Sequence, residues 1–141
     1  MVMATQYGRC ASVLWIVLLA TAGCGSGKMT EQGFTASHQS KLESLDSTER
    51  RDGAETLSKT RYITDELAPL LIDLMRNDAD AKTRVAAAET LAFYYDQGEM
   101  RTKIVQSLRE AVKTENDDAV SRAIAASLRR LARNIGPWDD V

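Results

Sequence analysis

The chain has 141 residues, with 18 basic side chains, 20 acidic ones and a single histidine, for a formal net charge of −2. That length allows one domain with one modest core. A mildly acidic, mixed-charge chain has no global attraction for nucleic acid, so no nucleic-acid partner is expected.

Residues 1–23 come first. Arg9 precedes an apolar run that ends in Leu18-Leu19-Ala20-Thr21-Ala22-Gly23, followed by Cys24. A basic start, an apolar stretch and small residues before a cut are the parts of a secretory signal peptide. The run is short for a bilayer-spanning helix, which needs about 20 apolar residues. Cysteine directly after Ala-Gly resembles the lipobox of a bacterial lipoprotein. That resemblance implies a diacylglyceryl group on the Cys24 thiol, cleavage before it, and acylation of the new amine by a chain such as palmitate. Thr21 stands where the pattern most often has leucine. An ordinary signal peptide, or an uncleaved anchor, is the alternative. Cys10 falls in the removed segment, so a lipidated mature chain keeps no free thiol.

The expected lipid partner is therefore the membrane itself. Acyl chains contribute about 0.8 kcal/mol per buried methylene, and two or more chains anchor stably. The implied location is the bacterial cell membrane, facing the periplasm or exterior. Gly25 follows the cysteine where an aspartate often retains lipoproteins in the inner membrane, which favours the outer membrane if the cell is Gram-negative.

Residues 24–41 read as a lipidated flexible tether. Gly25-Ser26-Gly27-Lys28, then Gly33, Ser37, His38, Gln39 and Ser40, bury too little surface to offset ordering entropy. His38 is read there as a solvated polar residue rather than a metal ligand.

Residues 42–136 read as a helical repeat domain. Leu42 and Leu45 suggest a short first helix, and Ala54 and Leu57 mark the next. Leu67, Leu70, Leu71, Leu74 and Met75 follow amphipathic helical spacing. So do Val85, Ala88, Leu91, Ala92 and Tyr95; Ile104, Leu108, Ala111 and Val112; and Val120, Ile124, Leu128, Leu131 and Ile135. No useful stretch alternates with period 2, so no strand is expected. Asp46, Asp80 and Asp117 or Asp118 suit N-caps. Gly98 suits a helix C-terminus, and Gly136-Pro137 stops the last helix.

The stripes recur. Glu55-Thr56-Leu57 returns as Glu89-Thr90-Leu91, with Arg50 falling on Arg84 and Ala54 on Ala88. A further copy places Leu67 on Ile104, Leu71 on Leu108, Ala88 on Ala125 and Leu91 on Leu128. Such a period with helical patterning indicates a solenoid of helix pairs. The run Leu67-Ala68-Pro69-Leu70-Leu71, then Asp78, Asp80, Thr83-Arg84 and Ala87-Ala88-Glu89-Thr90-Leu91, resembles a HEAT repeat. The resemblance implies an all-α, short α-α superhelix of two to three helix pairs over roughly residues 42–135. It also implies a kink at Pro69 in the first helix of the pair. Thr83 replaces the family's valine, Gln106 its proline in the next copy, and Gly53 interrupts the alanine row of the first. Ala86, Ala87, Ala88, Ala123, Ala125 and Ala126 are expected to line the inner helices, where small side chains permit close packing.

No catalytic set is present. A second histidine, a thiol in the mature domain, a phosphate loop and zinc-ligand spacing are all missing, and no cofactor is expected. Asp78 with Asp80, and Glu115 with Asp117 and Asp118, read as turn and cap residues rather than metal pairs. In Phe93-Tyr94-Tyr95, Tyr95 continues the core stripe, which turns Tyr94 outward as a candidate partner contact. Arg122, Arg129, Arg130 and Arg133 gather on the last helix, either as a solvated face or as a grip for an acidic partner, a lipid headgroup or a cell-wall carboxylate. Arg50 and Arg84 are expected to pair with aspartates of neighbouring turns.

The resulting expectation is a membrane-anchored, non-catalytic protein-binding or scaffolding module. A self-associating assembly role, as a homo-oligomer, is the alternative. The related bilin-lyase repeats are a remote one, with no chemistry here to support them. Residues 137–141 are expected to act as a tail in which Trp138 caps the last repeat.

Overall fold

In the computed structural model the described residues are 30–134; the side chain of Asn134 is outside that description. Cys24, Gly25 and Trp138 lie outside it as well. Among the described residues there are six helices and no strand. They are α1 (Glu31–Leu42), α2 (Ser47–Thr60), α3 (Leu67–Asn77), α4 (Ala81–Leu91), α5 (Glu99–Thr114) and α6 (Asp118–Asn134).

The helices form three antiparallel pairs. α2, α4 and α6 make an inner row, with α4 packed on both of its neighbours, while α1, α3 and α5 make an outer row. Leu57, Leu67, Leu71, Met75, Leu91, Ile104, Leu108 and Ile124 are fully buried between the rows. Each such side chain contributes about 1.5–3 kcal/mol through removal from water.

The domain starts earlier than the sequence reading placed it. α1 occupies most of the segment expected as tether. It is capped by Thr30, whose hydroxyl accepts from the Gly33 amide, and it buries Thr35 and Leu42. Its stripe is too sparse to show periodicity. The helix is held by packing on α2 and α3 rather than by a strong apolar face of its own. Gly53 makes that approach possible. A Cβ there would lie 2.9 Å from the Lys41 Cβ and 3.3 Å from the Leu42 Cδ2. The interruption of the alanine row is thus a close helix contact. His38 is half-buried on α1, with Nδ1 2.9 Å from the Phe34 carbonyl and its ring 4.2 Å from the Phe34 ring.

The aspartate caps stand where they were expected. Asp46 accepts from the Thr48 amide at 2.7 Å, Asp80 from Thr83 at 3.0 Å, and Asp117 from Ala119 and Val120 at 2.8 and 3.1 Å. Two other boundaries differ. Gly98 is the N-cap of α5, because α4 already ends at Leu91 with Ala92 as its C-cap. Pro69 falls in the first turn of α3, where its missing N–H costs little. The loss of an interior helix bond, and the kink expected from it, do not arise there.

Alanine packing follows the inner row only in part. Ala86, Ala87, Ala88 and Ala123 are buried, Ala125 is half-buried and Ala126 is exposed. Neither Ala125 nor Ala126 is fully covered, so they are not closed seam residues.

Candidate partner-binding groove

The repeats are clasped by polar side chains that occupy equivalent positions. Arg50 on α2 donates from Nε and Nη2 to the two carboxylate oxygens of Asp78, at 2.6 and 3.0 Å, and from Nη1 to the Ser44 carbonyl. Arg84 on α4 does the same one repeat later, to Glu115 at 3.0 and 3.3 Å and to the Asp78 carbonyl at 2.8 Å. The expected arginine row is present, with a glutamate as the second acceptor. Desolvation pushes the Asp78 carboxyl upward, but the Arg50 hydrogen bonds and the Asp80 amide outweigh it and hold the group below its ordinary range. Glu115 is likewise held low, chiefly by the Asp117 amide. Asp78, Asp80, Glu115 and Asp117 are therefore clasp and cap residues. Asp118 is an exposed first-turn residue of α6.

A hydroxyl row runs beside the arginines. The Thr90 hydroxyl lies 2.8 Å from the Ala54 carbonyl of α2 and 2.7 Å from the Ala86 carbonyl of its own helix, and the Ser127 hydroxyl 2.7 Å from the Ala88 carbonyl of α4 and 2.9 Å from the Ala123 carbonyl of its own helix. Thr83, where the resemblance leads one to expect valine, bridges the Ser47 carbonyl and Asp80. Thr90 enters the sequence pattern only within the recurring Glu-Thr-Leu, and Ser127 does not enter it. Arg101 is a further joint that the repeat pattern does not mark. It is 5 % exposed and donates to the Tyr94 carbonyl at 3.1 Å and to the Leu131 carbonyl at 2.7 Å. It thereby serves the electronegative end of α6. A lone arginine at the start of a helix carries no signal for that role.

The tyrosines are the reverse of the expectation. Tyr94 is buried and Tyr95 is half exposed. The Phe93 amide bonds to the Thr90 carbonyl and the Tyr94 amide to the Leu91 carbonyl, so the chain tightens to a three-residue turn after α4. That turn moves Tyr94 into the core position that helical spacing gives to Tyr95. The Tyr94 hydroxyl donates to the Asp65 carboxylate, and burial followed by this bond raises its pKa well above the usual phenol value.

Two of the four arginines of α6 flank a groove along the inner row. Arg122, Arg129, Arg130 and Arg133 fall within an arc of about 100° of helix. Arg122, Arg129 and Arg133 are exposed, and Arg130 is half-buried with its guanidinium 4.0 Å from the centre of the Phe93 ring. Among the described residues none of the four forms an ion pair. Arg130 and Arg133 line the groove, with Phe93, Ala126 and Ser127 on its walls, Ser58 from α2 and a single acid, Glu89. Its volume is about 680 Å³. Arg122 and Arg129 are not part of its lining. The arrangement offers two cationic donors beside an aromatic face, suited to a carboxylate-bearing chain.

Among the described residues no group of three His, Cys, Asp or Glu side chains is placed to hold a metal ion, and no helix is long and apolar enough to cross a membrane. Neither the comparison with curated proteins nor that with solved structures finds a match. The family description of HEAT repeats matches residues 40–134, which spans α2 to α6 and only the last residues of α1. With its paired helices, recurring arginine clasps and alanine-lined inner row, the chain belongs to the HEAT-repeat family.

Proposed function

We propose that this protein is a lipid-anchored bacterial lipoprotein whose HEAT domain is a non-catalytic binding module. In this reading the inner groove holds an acidic segment of a protein partner. HEAT repeats commonly serve as protein-interaction modules, and their extended inner face suits that use. One observation carries the choice of partner chemistry: Arg130 and Arg133 face a groove beside Phe93 without carboxylate partners among the described residues. The anchor rests on the Ala-Gly-Cys24 sequence after an apolar run. Cys24 is the proposed acylation site, and the outer membrane is the proposed address if the cell is Gram-negative.

Binding of a fluorescent hexa-glutamate peptide to the full chain tests the groove. Arg130→Glu with Arg133→Glu should abolish it, while Arg76→Glu on the outer row leaves it intact. Equal loss in both would leave only nonspecific charge attraction. Mass spectrometry of the mature protein tests the anchor. An N-terminus other than Cys24 with an unmodified thiol removes it. Homo-oligomerisation, the alternative, would appear in light scattering as a dimer whose association survives the Arg130 and Arg133 changes.

A further inference from the structure

A second cavity, of about 410 Å³, lies where the α2–α3 and α4–α5 connections meet the start of α1. It shares the Phe93 wall with the groove but differs in chemistry. Four carboxylates line it: Glu31, Asp65, Glu66 and Asp96. Arg61 is its sole base among the lining residues, and that guanidinium rests 5.5 Å from the centre of the Phe93 ring. Two turn acids elsewhere are neutralised, Asp78 by Arg50 and Glu115 by Arg84. Among the described residues none of these four takes part in an ion pair.

Four further features converge there. Tyr62 and Tyr95 are about half exposed, and both line this cavity. Their rings offer negative faces to a cation and suit an interface. The Tyr62 hydroxyl donates to Glu31 at 2.8 Å and that of Tyr94 to Asp65, which fixes two of the carboxylates in place. Glu66 makes no cap bond to α3, so its carboxylate is left available. Finally, Thr64 is 7 % exposed, lines the cavity, and has a buried hydroxyl with no partner. An unsatisfied buried hydroxyl is uncommon and calls for an explanation.

We propose that this cavity binds an arginine or lysine side chain from a basic segment of a protein partner, with Glu66 and Asp96 pairing the cation, Tyr62 and Tyr95 flanking it, and the Thr64 hydroxyl accepting from it. An organic cation fits better than a metal ion. Aromatic walls stabilise a guanidinium or ammonium, whereas no three acids converge as metal ligands. Charge complementarity chooses the partner: acids outnumber bases four to one on the lining. The proposal does not depend on the arginine-lined groove, since a different set of residues carries it.

The probe is a fluorescein-labelled hexa-arginine peptide, titrated into the full chain in detergent at physiological salt and read by anisotropy. Saturable binding is expected, weakened about tenfold or more by Glu66→Gln with Asp96→Asn. Glu55→Gln with Asp73→Asn, which removes the same charge from exposed helix positions outside both cavities, should leave it unchanged. Thr64→Val should weaken the peptide severalfold while the melting temperature holds or rises, because an unpaired polar atom is removed. Absence of saturable binding overturns the proposal, and so does equal loss in the two double variants. Thr64→Val binding as wild type would remove the hydroxyl from the site. The Arg130 and Arg133 changes should not weaken hexa-arginine, which separates failure here from failure of the groove.

Discussion

Arg50 shows how a single side chain converts a recurring letter into a structural joint. Its partner Asp78 has a side chain only 1 % exposed, so removing the arginine strands a buried carboxylate. Arg50→Ala should therefore cost about 3 kcal/mol, far more than an exposed pair is worth. The same pair sets an acid limit. The folded pKa of Asp78 lies below its unfolded value of about 3.9, so the stabilisation is complete above that pH and is lost as the pH falls through the folded pKa. Denaturant midpoints measured from pH 6 downward should show this loss in the wild type and lose most of it in Asp78→Asn. Tyr94 is a residue of the same kind. Tyr94→Phe should lower stability by about 1 kcal/mol through the lost bond to Asp65. Tyr95→Phe should be nearly neutral, and a reversed order would put Tyr95 back in the core.

At the scale of the helix, stripes and caps were legible wherever local chemistry and burial agreed. Asp46, Asp80 and Asp117 combine a carboxylate with a following apolar period, and each caps its helix. The misses have a common cause. They lie where tertiary contact overrides local spacing. α1 is polar along most of its length and forms against α2, where Gly53 lets it approach. The tightened turn after Leu91 exchanges Tyr94 for Tyr95 and frees Gly98 to begin α5. The candidate groove was visible only as an arginine count. Its second wall, Phe93 with Glu89 and Ser58, comes from α2, α4 and the turn after α4, all distant from α6 in sequence. The same reasoning revises the alanine row. Ala88→Leu should destabilise by about 1–3 kcal/mol through overpacking between α4 and its neighbours. Ala125→Leu, on the half-exposed side of α6, should stay within about 0.5 kcal/mol. Thermal melts of the two variants make the comparison, and equal losses would mean that α6 packs by a different face.

Over the whole molecule, the contacts run from each pair to the next, as in any solenoid. α4 is the hub, touching α2, α3 and α6, while neither α1 nor α2 packs extensively on α5 or α6. The two arginine clasps divide along that line. Arg50 on α2 secures the first pair to the turn before α4, and Arg84 on α4 secures the second pair to the turn before α6. The hydroxyl bonds divide the same way, Thr90 reaching back to α2 and Ser127 to α4. A chain this short should unfold cooperatively while both clasps hold. Loss of one clasp should loosen one end before the other, because each interface contributes its own term to stability. Native-state hydrogen exchange resolves this. Arg84→Ala should reduce amide protection chiefly in α5 and α6, and Arg50→Ala chiefly in α1 and α2. α4 should be the last helix to exchange in both. Uniform loss of protection across all six helices in either variant would show that the clasps act on one indivisible core, and that the repeat boundaries have no energetic meaning.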